Sequence, residues 1–308
     1  MVLSFIFTAL GLALFEIISS ADNAIINAEV LRTMSEKMRR WFLFWGILIA
    51  VFVVRGLLPW AIIWASAPSL GPIGAFTSTW SSDPSVITAI EKSAPILMAG
   101  GGVFLVFLFF HWLFLEQKHF GLRGERFFFR NGVWFYAVVS VILSVLVWFA
   151  LRADPLMAFG LVIGSTAFFI THGFKENAER AERELLSGTS AKSDLSKVLY
   201  LEVIDATFSI DGVLGAFAFT LSIPLILIGN GIGAIVLRKL TVSNIETVKK
   251  YIFLKNGAMY SVFFLGFVMI LHAFHVPVPE WVSPLVTFLA VAYFFFKSRD
   301  HLRRKGML

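Results

Sequence analysis

Two stretches of the sequence carry acidic side chains inside runs that are otherwise apolar, at residues 3–30 and 198–222. A carboxylate near the centre of a bilayer costs about 2.5–3.5 kcal/mol on insertion scales, so the five acids at residues 15–24 and 201–212 within these runs indicate a function that needs them. Their ligand atoms are all oxygens, which favours a hard cation such as Mn²⁺, Ca²⁺ or Mg²⁺. The predicted metal ligands are Glu16, Asp22, Asn23, Glu202, Asp205, Ser209 and Asp211.

The spacing of these residues predicts broken helices. Glu16 and Asp22 are six residues apart, so they point about 120° away from each other on an ideal helix. Asp211 likewise lies off the face that the earlier acids of its own run share. We therefore expect the two helices to unwind or kink near Asp22-Asn23 and Asp211-Gly212, where loose carbonyl groups would add ligands.

The same constellation predicts a coupling mechanism. Several carboxylates in a dry site cannot all stay ionised without a cation, so they would exchange protons for metal. Arg55 and Arg238 are expected to balance the negative charge, and Asn230 is equally open as a wall of the site or as an interhelical hydrogen bond. Cysteine is absent and histidines are scattered, which disfavours a zinc or copper site. No organic cofactor is expected.

Composition places these stretches in a membrane protein. The chain has 308 residues, of which 58% are hydrophobic and 15% are charged, and this balance is typical of an all-α polytopic membrane protein. Nine apolar runs have spanning length, so about nine transmembrane helices are predicted. These runs are 3–30, 42–65, 94–115, 133–151, 156–174, 198–222, 224–240, 257–275 and 281–297.

The positive charges predict the orientation of the helices. Of the 26 Lys and Arg residues, 23 fall in alternate connections or in the C-terminal tail, including Lys175 at the start of the loop 175–197. By the positive-inside rule the N-terminus faces out and the C-terminus faces the cytoplasm. The net charge of +6 is therefore a topology signal, and the expected partner is the lipid bilayer rather than nucleic acid.

An inverted repeat relates the two acidic runs. With nine spans they enter the membrane from opposite faces, and Ser20-Ala21-Asp22-Asn23 aligns with Ser209-Ile210-Asp211-Gly212. Each run is followed by a helix that contains an arginine, Arg55 in the first half and Arg238 in the second. Transporters built this way bind substrate near the midplane, between the halves. The expected divisions are 1–116 for the first half, 117–197 for connecting helices, 198–297 for the second half and 298–308 for a basic tail.

These motifs resemble the TerC family of integral membrane proteins, within the LysE-type exporter group. Its Glu-x₅-Asp-Asn motif resembles Glu16, Asp22 and Asn23, and its Asp and Phe-Ala-x-Asp-Ser motif resembles Asp205, Phe208 and Asp211, with Ser209 and Gly212 departing from it. Further matches are Trp45-Gly46, Ala50, Arg55, Asn230 and Leu237-Arg238. The resemblance implies export of a divalent metal, chiefly Mn²⁺, with the acidic motifs as its site.

The expected protein is thus a multi-pass transporter of a bacterial-type inner (plasma) membrane that exports Mn²⁺ or a similar cation in exchange for protons, and not an enzyme. Two alternatives stay open, namely a LysE-type exporter of a small cationic solute and a non-transporting membrane scaffold in envelope stress or metallation. An intramembrane hydrolase using Asp22 and Asp211 is disfavoured because no water-activating His or Ser constellation accompanies them.

Overall fold

The chain folds as an assembly of helices. The structure is a computed structural model that describes residues 2–21, 24, 28, 30–31, 33–46, 49, 55–78, 83–186 and 194–306. Side chains are described there except at 2, 43, 55, 87, 178–186, 200, 204–208, 238 and 240–249. The structure is 86% helix, and the described residues contain no strand. The predicted all-α fold class is confirmed.

Twelve α-helices lie in the described ranges. The first six are α1 (Val2–Ser19), α2 (Glu36–Trp41), α3 (Arg55–Ser66), α4 (Gly71–Thr77), α5 (Pro84–Leu115) and α6 (Glu125–Arg130). The last six are α7 (Phe135–Ala153), α8 (Pro155–Leu186), α9 (Asp194–Phe217), α10 (Ile223–Lys250), α11 (Leu254–Ala273) and α12 (Val282–Arg304). A short turn over 218–222 separates α9 from α10, which confirms the predicted helix boundary before Pro224.

Several of these helices are suited to a bilayer. Within the described ranges, four segments are long and apolar enough to cross one, namely Pro84–Leu115, Gly132–Ala153, Pro155–Asn177 and Leu254–Ala273. Only 17% of the segment Gly132–Ala153 is buried inside the protein, so most of its apolar surface faces outward. Such a surface is costly in water and matches lipid. The chain is therefore compatible with a membrane protein, and the nine-span count and its orientation stay predictions.

The connections are more helical than expected. The connection 66–93, between the predicted apolar runs 42–65 and 94–115, contains α4 and the first turns of α5. Asp83 caps α5, because its carboxylate accepts a hydrogen bond from the Ser85 backbone N–H at 2.9 Å and Pro84 occupies the first helical position. Likewise, α8 continues to Leu186 through the predicted loop 175–197, since its Glu, Arg and Lys residues are good helix formers. The predicted run 42–65 begins with a π-helical turn over 42–46 rather than with an α-helix.

Helix α5 is the centre of the assembly and packs closely on both α8 and α11. Its contact with α11 is reciprocal. A Cβ placed at Gly102 would lie 2.8 Å from the Gly266 carbonyl oxygen and 3.1 Å from the Ile270 N. A Cβ placed at Gly266 would in turn lie 2.9 Å from the Gly102 carbonyl oxygen and 3.1 Å from the Val106 N. The two antiparallel helices are therefore related by a local two-fold axis at this crossing. Only glycine permits so close an approach of two backbones.

Candidate functional site

Glu16 is a fully buried carboxylate at the meeting point of three helices. It lies in α1, its exposed fraction is 0%, and α1 packs on both α9 and α10. Its Oε1 accepts a hydrogen bond from the Ser20 hydroxyl at 2.8 Å, one helical turn further along the chain. A fully buried carboxylate between packed helices makes Glu16 a candidate for a functional role.

Glycines on the two neighbouring helices make room for this side chain. A Cβ at Gly233 of α10 would lie 2.7 Å from the Glu16 Cβ, so any larger residue would collide with it. A Cβ at Gly212 of α9 would lie 3.4 Å from the Glu16 Oε2. The carboxylate therefore faces the bare backbone of α9 beside Asp211. This contact brings the first acidic stretch against the second.

The Asp211 carboxylate contacts α8. Its Oδ2 accepts a hydrogen bond from the Lys175 ammonium, and the two side chains are only 17% and 12% exposed. Its Oδ1 is buried and has no hydrogen-bond partner among the described residues. Ser209, half a turn earlier, is 4% exposed. A Cβ placed at Gly101, in the middle of α5, would lie 3.8 Å from the Leu214 side chain. Because Asp211 comes three residues before Leu214 on α9, it lies within about one helical turn of the level of Gly101.

The predicted break in this helix is wrong. Helix α9 runs without interruption from Asp194 to Phe217, through the Asp211-Gly212 step. Adjacent residues differ by about 100° on a helix, so Gly212 can face Glu16 while Asp211 faces Lys175. The helix does not need to unwind, because Glu16 lies against Gly212 while Lys175 binds the adjacent Asp211. The corresponding prediction at Asp22-Asn23 lies outside the described residues.

Asn230 presents an amide to the same interior. It is 0% exposed, and neither its Nδ2 nor its Oδ1 has a hydrogen-bond partner in the part of the chain that is described. On α10, Gly229 and Gly233 contact α1, whereas Leu227 lies 3.4 Å from a Cβ placed at Gly56 of α3. At about 100° per residue, Asn230 lies on α10 between the side that contacts α1 and the side that contacts α3. Helix α9 packs on both α1 and α3, so it borders the same interior. The unsatisfied amide therefore favours a role as a site wall.

The other predicted site residues lie elsewhere or outside the described side chains. Glu202 is seven residues from Ser209, about 10 Å along α9, at the end where Leu201 packs with Val30 and Leu31. It therefore lies well below the level of Gly212 along α9 and not beside Glu16. The side chains of Asp205, Arg55 and Arg238 and the whole of Asp22 and Asn23 fall outside what the structure describes.

Sequence reasoning assigned the charge balance to the two arginines and missed Lys175, which it placed in a cytoplasmic loop. That placement is corrected, because α8 continues through residue 175 and Lys175 reaches Asp211. The available signal was a lysine directly after the apolar run 156–174, since long basic side chains at helix ends extend along neighbouring surfaces. Within the described residues, no three His, Cys, Asp or Glu side chains are grouped closely enough to hold a metal ion.

A second buried carboxylate, Glu125, has a structural role. It is 1% exposed and accepts hydrogen bonds from the Gly121 N–H at 2.7 Å, the Asn256 amide at 3.0 Å and the Tyr260 hydroxyl at 3.2 Å. These contacts tie the loop after α5 to α11. Nearby, burial lowers the pKa of Lys118 to about 8, although the charges of Glu125 and Glu116 oppose that shift. Glu125 lies in a charged connection between apolar runs, where no pattern in the sequence predicts its burial.

Replacing Glu125 with Ala should lower the thermal stability of the protein without weakening cation binding. Three buried donors would lose their acceptor, and each unsatisfied group costs about 1–3 kcal/mol. Thermal unfolding in detergent measures the effect. Glu116→Ala is the matched control, because it removes an ion pair with Lys255 whose side chains are 37% and 35% exposed, and such pairs contribute about 0–1 kcal/mol. Equal melting temperatures for the two variants would contradict this role.

The fold and the site together define a class, that of helical proteins suited to a membrane with a buried carboxylate between packed helices. Within that class the chain belongs to the family described as "Protein of unknown function (DUF475)", whose model matches residues 21–305. The predicted membership of the TerC family is wrong, because DUF475 is the family that matches and no TerC model does. No curated protein and no solved structure matches the chain.

Proposed function

We propose that this protein is a membrane transporter of a hard divalent cation, with Mn²⁺ as the first candidate and Ca²⁺ or Mg²⁺ as the others. The observation that carries the proposal is the fully buried Glu16, held without intervening side chains against Gly212 and Gly233. The outward direction of transport was expected only from the resemblance to the TerC family, and it is not part of the proposal.

The donor set supports a hard cation. Glu16, Ser209, Asp211 and Asn230 offer carboxylate, hydroxyl and amide oxygens, which suit Mg²⁺, Ca²⁺ and Mn²⁺ better than Zn²⁺ or Cu⁺. The other proposed residues are further ligands or line the route by which the cation reaches Glu16, namely Asp22, Asn23, Glu202 and Asp205. A bound cation would compensate the cost of holding carboxylates between apolar helices, and protons exchanged at the same oxygens would take its place after release.

The proposed architecture is nine spans in a plasma membrane, N-terminus outside, built from an inverted repeat. The reciprocal contact of Gly102 and Gly266 supports the repeat, because antiparallel helices related by a two-fold axis are what two inverted halves produce at their centre. The pairing of helices is consistent with it. Helix α1 of the first half packs on α10 of the second, and α9 of the second half packs on α3 of the first.

One observation favours a second candidate, a transporter of a small cationic amine. The Lys175 ammonium is bound to Asp211, which demonstrates that an alkylammonium group fits this carboxylate. A free amino acid with a basic side chain would present the same group. The carboxylate site is shared by the two candidates, and only the occupant differs.

Binding calorimetry on the purified protein tests the proposal. We expect Mn²⁺ to bind the wild type with one dominant site, and Asp211→Asn to weaken that binding by about 100-fold, since the neutral amide removes a charged ligand. Parallel titrations with Mg²⁺, Ca²⁺ and lysine identify the occupant. Binding of lysine alone would select the amine transporter, and binding of no cation by the wild type would refute both candidates.

A further inference from the structure

Lys175 and Asp211 form an ion pair in the interior of the assembly, on neighbouring helices. Lys175 lies within Pro155–Asn177, one of the segments long and apolar enough to cross a membrane. The pair is therefore unlike the Lys255–Glu116 pair, whose side chains are about one-third exposed. A charge pair in a low-dielectric setting interacts more strongly than one at a surface.

The ammonium occupies the carboxylate that the proposed function assigns to the substrate. Oδ2 of Asp211 is bound by Lys175, and Oδ1 has no hydrogen-bond partner among the described residues. A divalent cation bound by Asp211 would lie within a few ångströms of the ammonium, where like charges repel strongly. Substrate binding and the Lys175–Asp211 contact therefore exclude each other.

We propose that Lys175 is a tethered competitor that neutralises Asp211 in the empty protein and must be displaced by the transported cation. This inference rests on the proposed function and adds a selectivity rule to it. A divalent ion gains twice the Coulomb energy of a monovalent ion from Asp211, so we expect it to displace the ammonium where Na⁺ or K⁺ does not. The long flexible stem of Lys175 lets the ammonium withdraw toward the polar continuation of α8.

Lys175→Met tests the proposal by removing the competitor at similar side-chain volume. The apparent affinity for Mn²⁺ should become at least about tenfold tighter, because one decade of affinity corresponds to the contribution of a modest ion pair. Na⁺, which the wild type should ignore, should now compete with Mn²⁺. Lys175→Arg should keep the wild-type ranking of cations. Lys255→Met is the matched control, since it breaks a lysine–carboxylate pair outside the site and should leave Mn²⁺ affinity unchanged.

A measurement on the wild type keeps the test independent of how the variants fold. Acylation of lysine amines, followed by mass spectrometry, should show Lys175 protected in the empty protein and labelled faster at saturating Mn²⁺. The inference is overturned if Lys175 labelling does not respond to Mn²⁺, or if Lys175→Met binds Mn²⁺ no more tightly than the wild type while Asp211→Asn abolishes binding. Failure of the wild type to bind any cation is a different result, which refutes the proposed function itself.

Discussion

Replacement of Glu16 by Gln should reduce cation transport by about 100-fold or more. The amide keeps the size of the side chain and its contact with Ser20, but it removes the negative charge that a hard cation requires. Loss of an outer-shell partner alone typically costs 10–100-fold in metal affinity, so loss of a charged ligand should cost at least about the upper end of that range. Uptake of Mn²⁺ into proteoliposomes, reported by a metal-quenched dye, measures the effect directly.

Glu125→Gln is the matched control for this variant. Glu125 is equally buried, at 1% exposed against 0% for Glu16, but the backbone and side chains around it already supply three hydrogen bonds. It should transport at the wild-type rate once folded. If Glu16→Gln transports as well as Glu125→Gln does, the buried carboxylate is structural, and the scaffold alternative, in which intramembrane acids do not matter, becomes the better account.

Substitution of Gly164 by Ala should have the largest effect on folding. A Cβ at this position would lie 2.6 Å from the Gly100 Cα, so α8 and α5 could not keep their present separation. Overpacking of a tight interface costs about 1–3 kcal/mol, and here the obstructing atoms are backbone, which cannot move aside as a side chain does. We expect a clearly lower melting temperature in detergent and a reduced yield of folded protein from the membrane.

Gly173→Ala on the same helix provides the comparison. No described atom beyond its own helix and chain neighbours lies within 4 Å of a Cβ at that position. Alanine should therefore be neutral or stabilise the helix, by up to about 1 kcal/mol from its higher helix propensity. If the two alanine variants have the same melting temperature, the close approach of α5 and α8 is not a feature of the folded protein. The Gly164 variant should also weaken cation selectivity, because α8 carries Lys175.

The apolar helices were predictable from the sequence, whereas the polar helical segments were not. The runs that became α5, α7, α9 and α11 are visible as hydrocarbon-length segments. By contrast, residues 175–186 continue α8 although their charges predicted a loop. Hydropathy detects burial in lipid, whereas helix formation also follows from local propensity and from capping, as the Asp83-Pro84 start of α5 illustrates.

The buried polar residues were predictable from the sequence, but the contacts between them were not. Glu16 and Asn230 stand out as polar groups in apolar runs, and both are fully buried. The partner of Asp211 was not predictable, because Lys175 is 36 positions away on a separate helix and no periodicity in one sequence relates two helices. Glycine composition similarly predicts close contact between helices, but not that Gly233 lies against Glu16.

The crossing of α5 and α11 has a consequence for how such a protein would alternate between its two faces. If two inverted halves exchange conformations, each contact between them is replaced by the equivalent contact on the other side of the two-fold axis. A contact that lies on the axis has no separate equivalent and is kept. The Gly102–Gly266 contact is of that kind, because each glycine meets the carbonyl oxygen of the other. It would remain unchanged while the helices around it tilt. In such a cycle the two glycines would act as a pivot, and the free energies of the inward-facing and outward-facing states would differ only through contacts away from it.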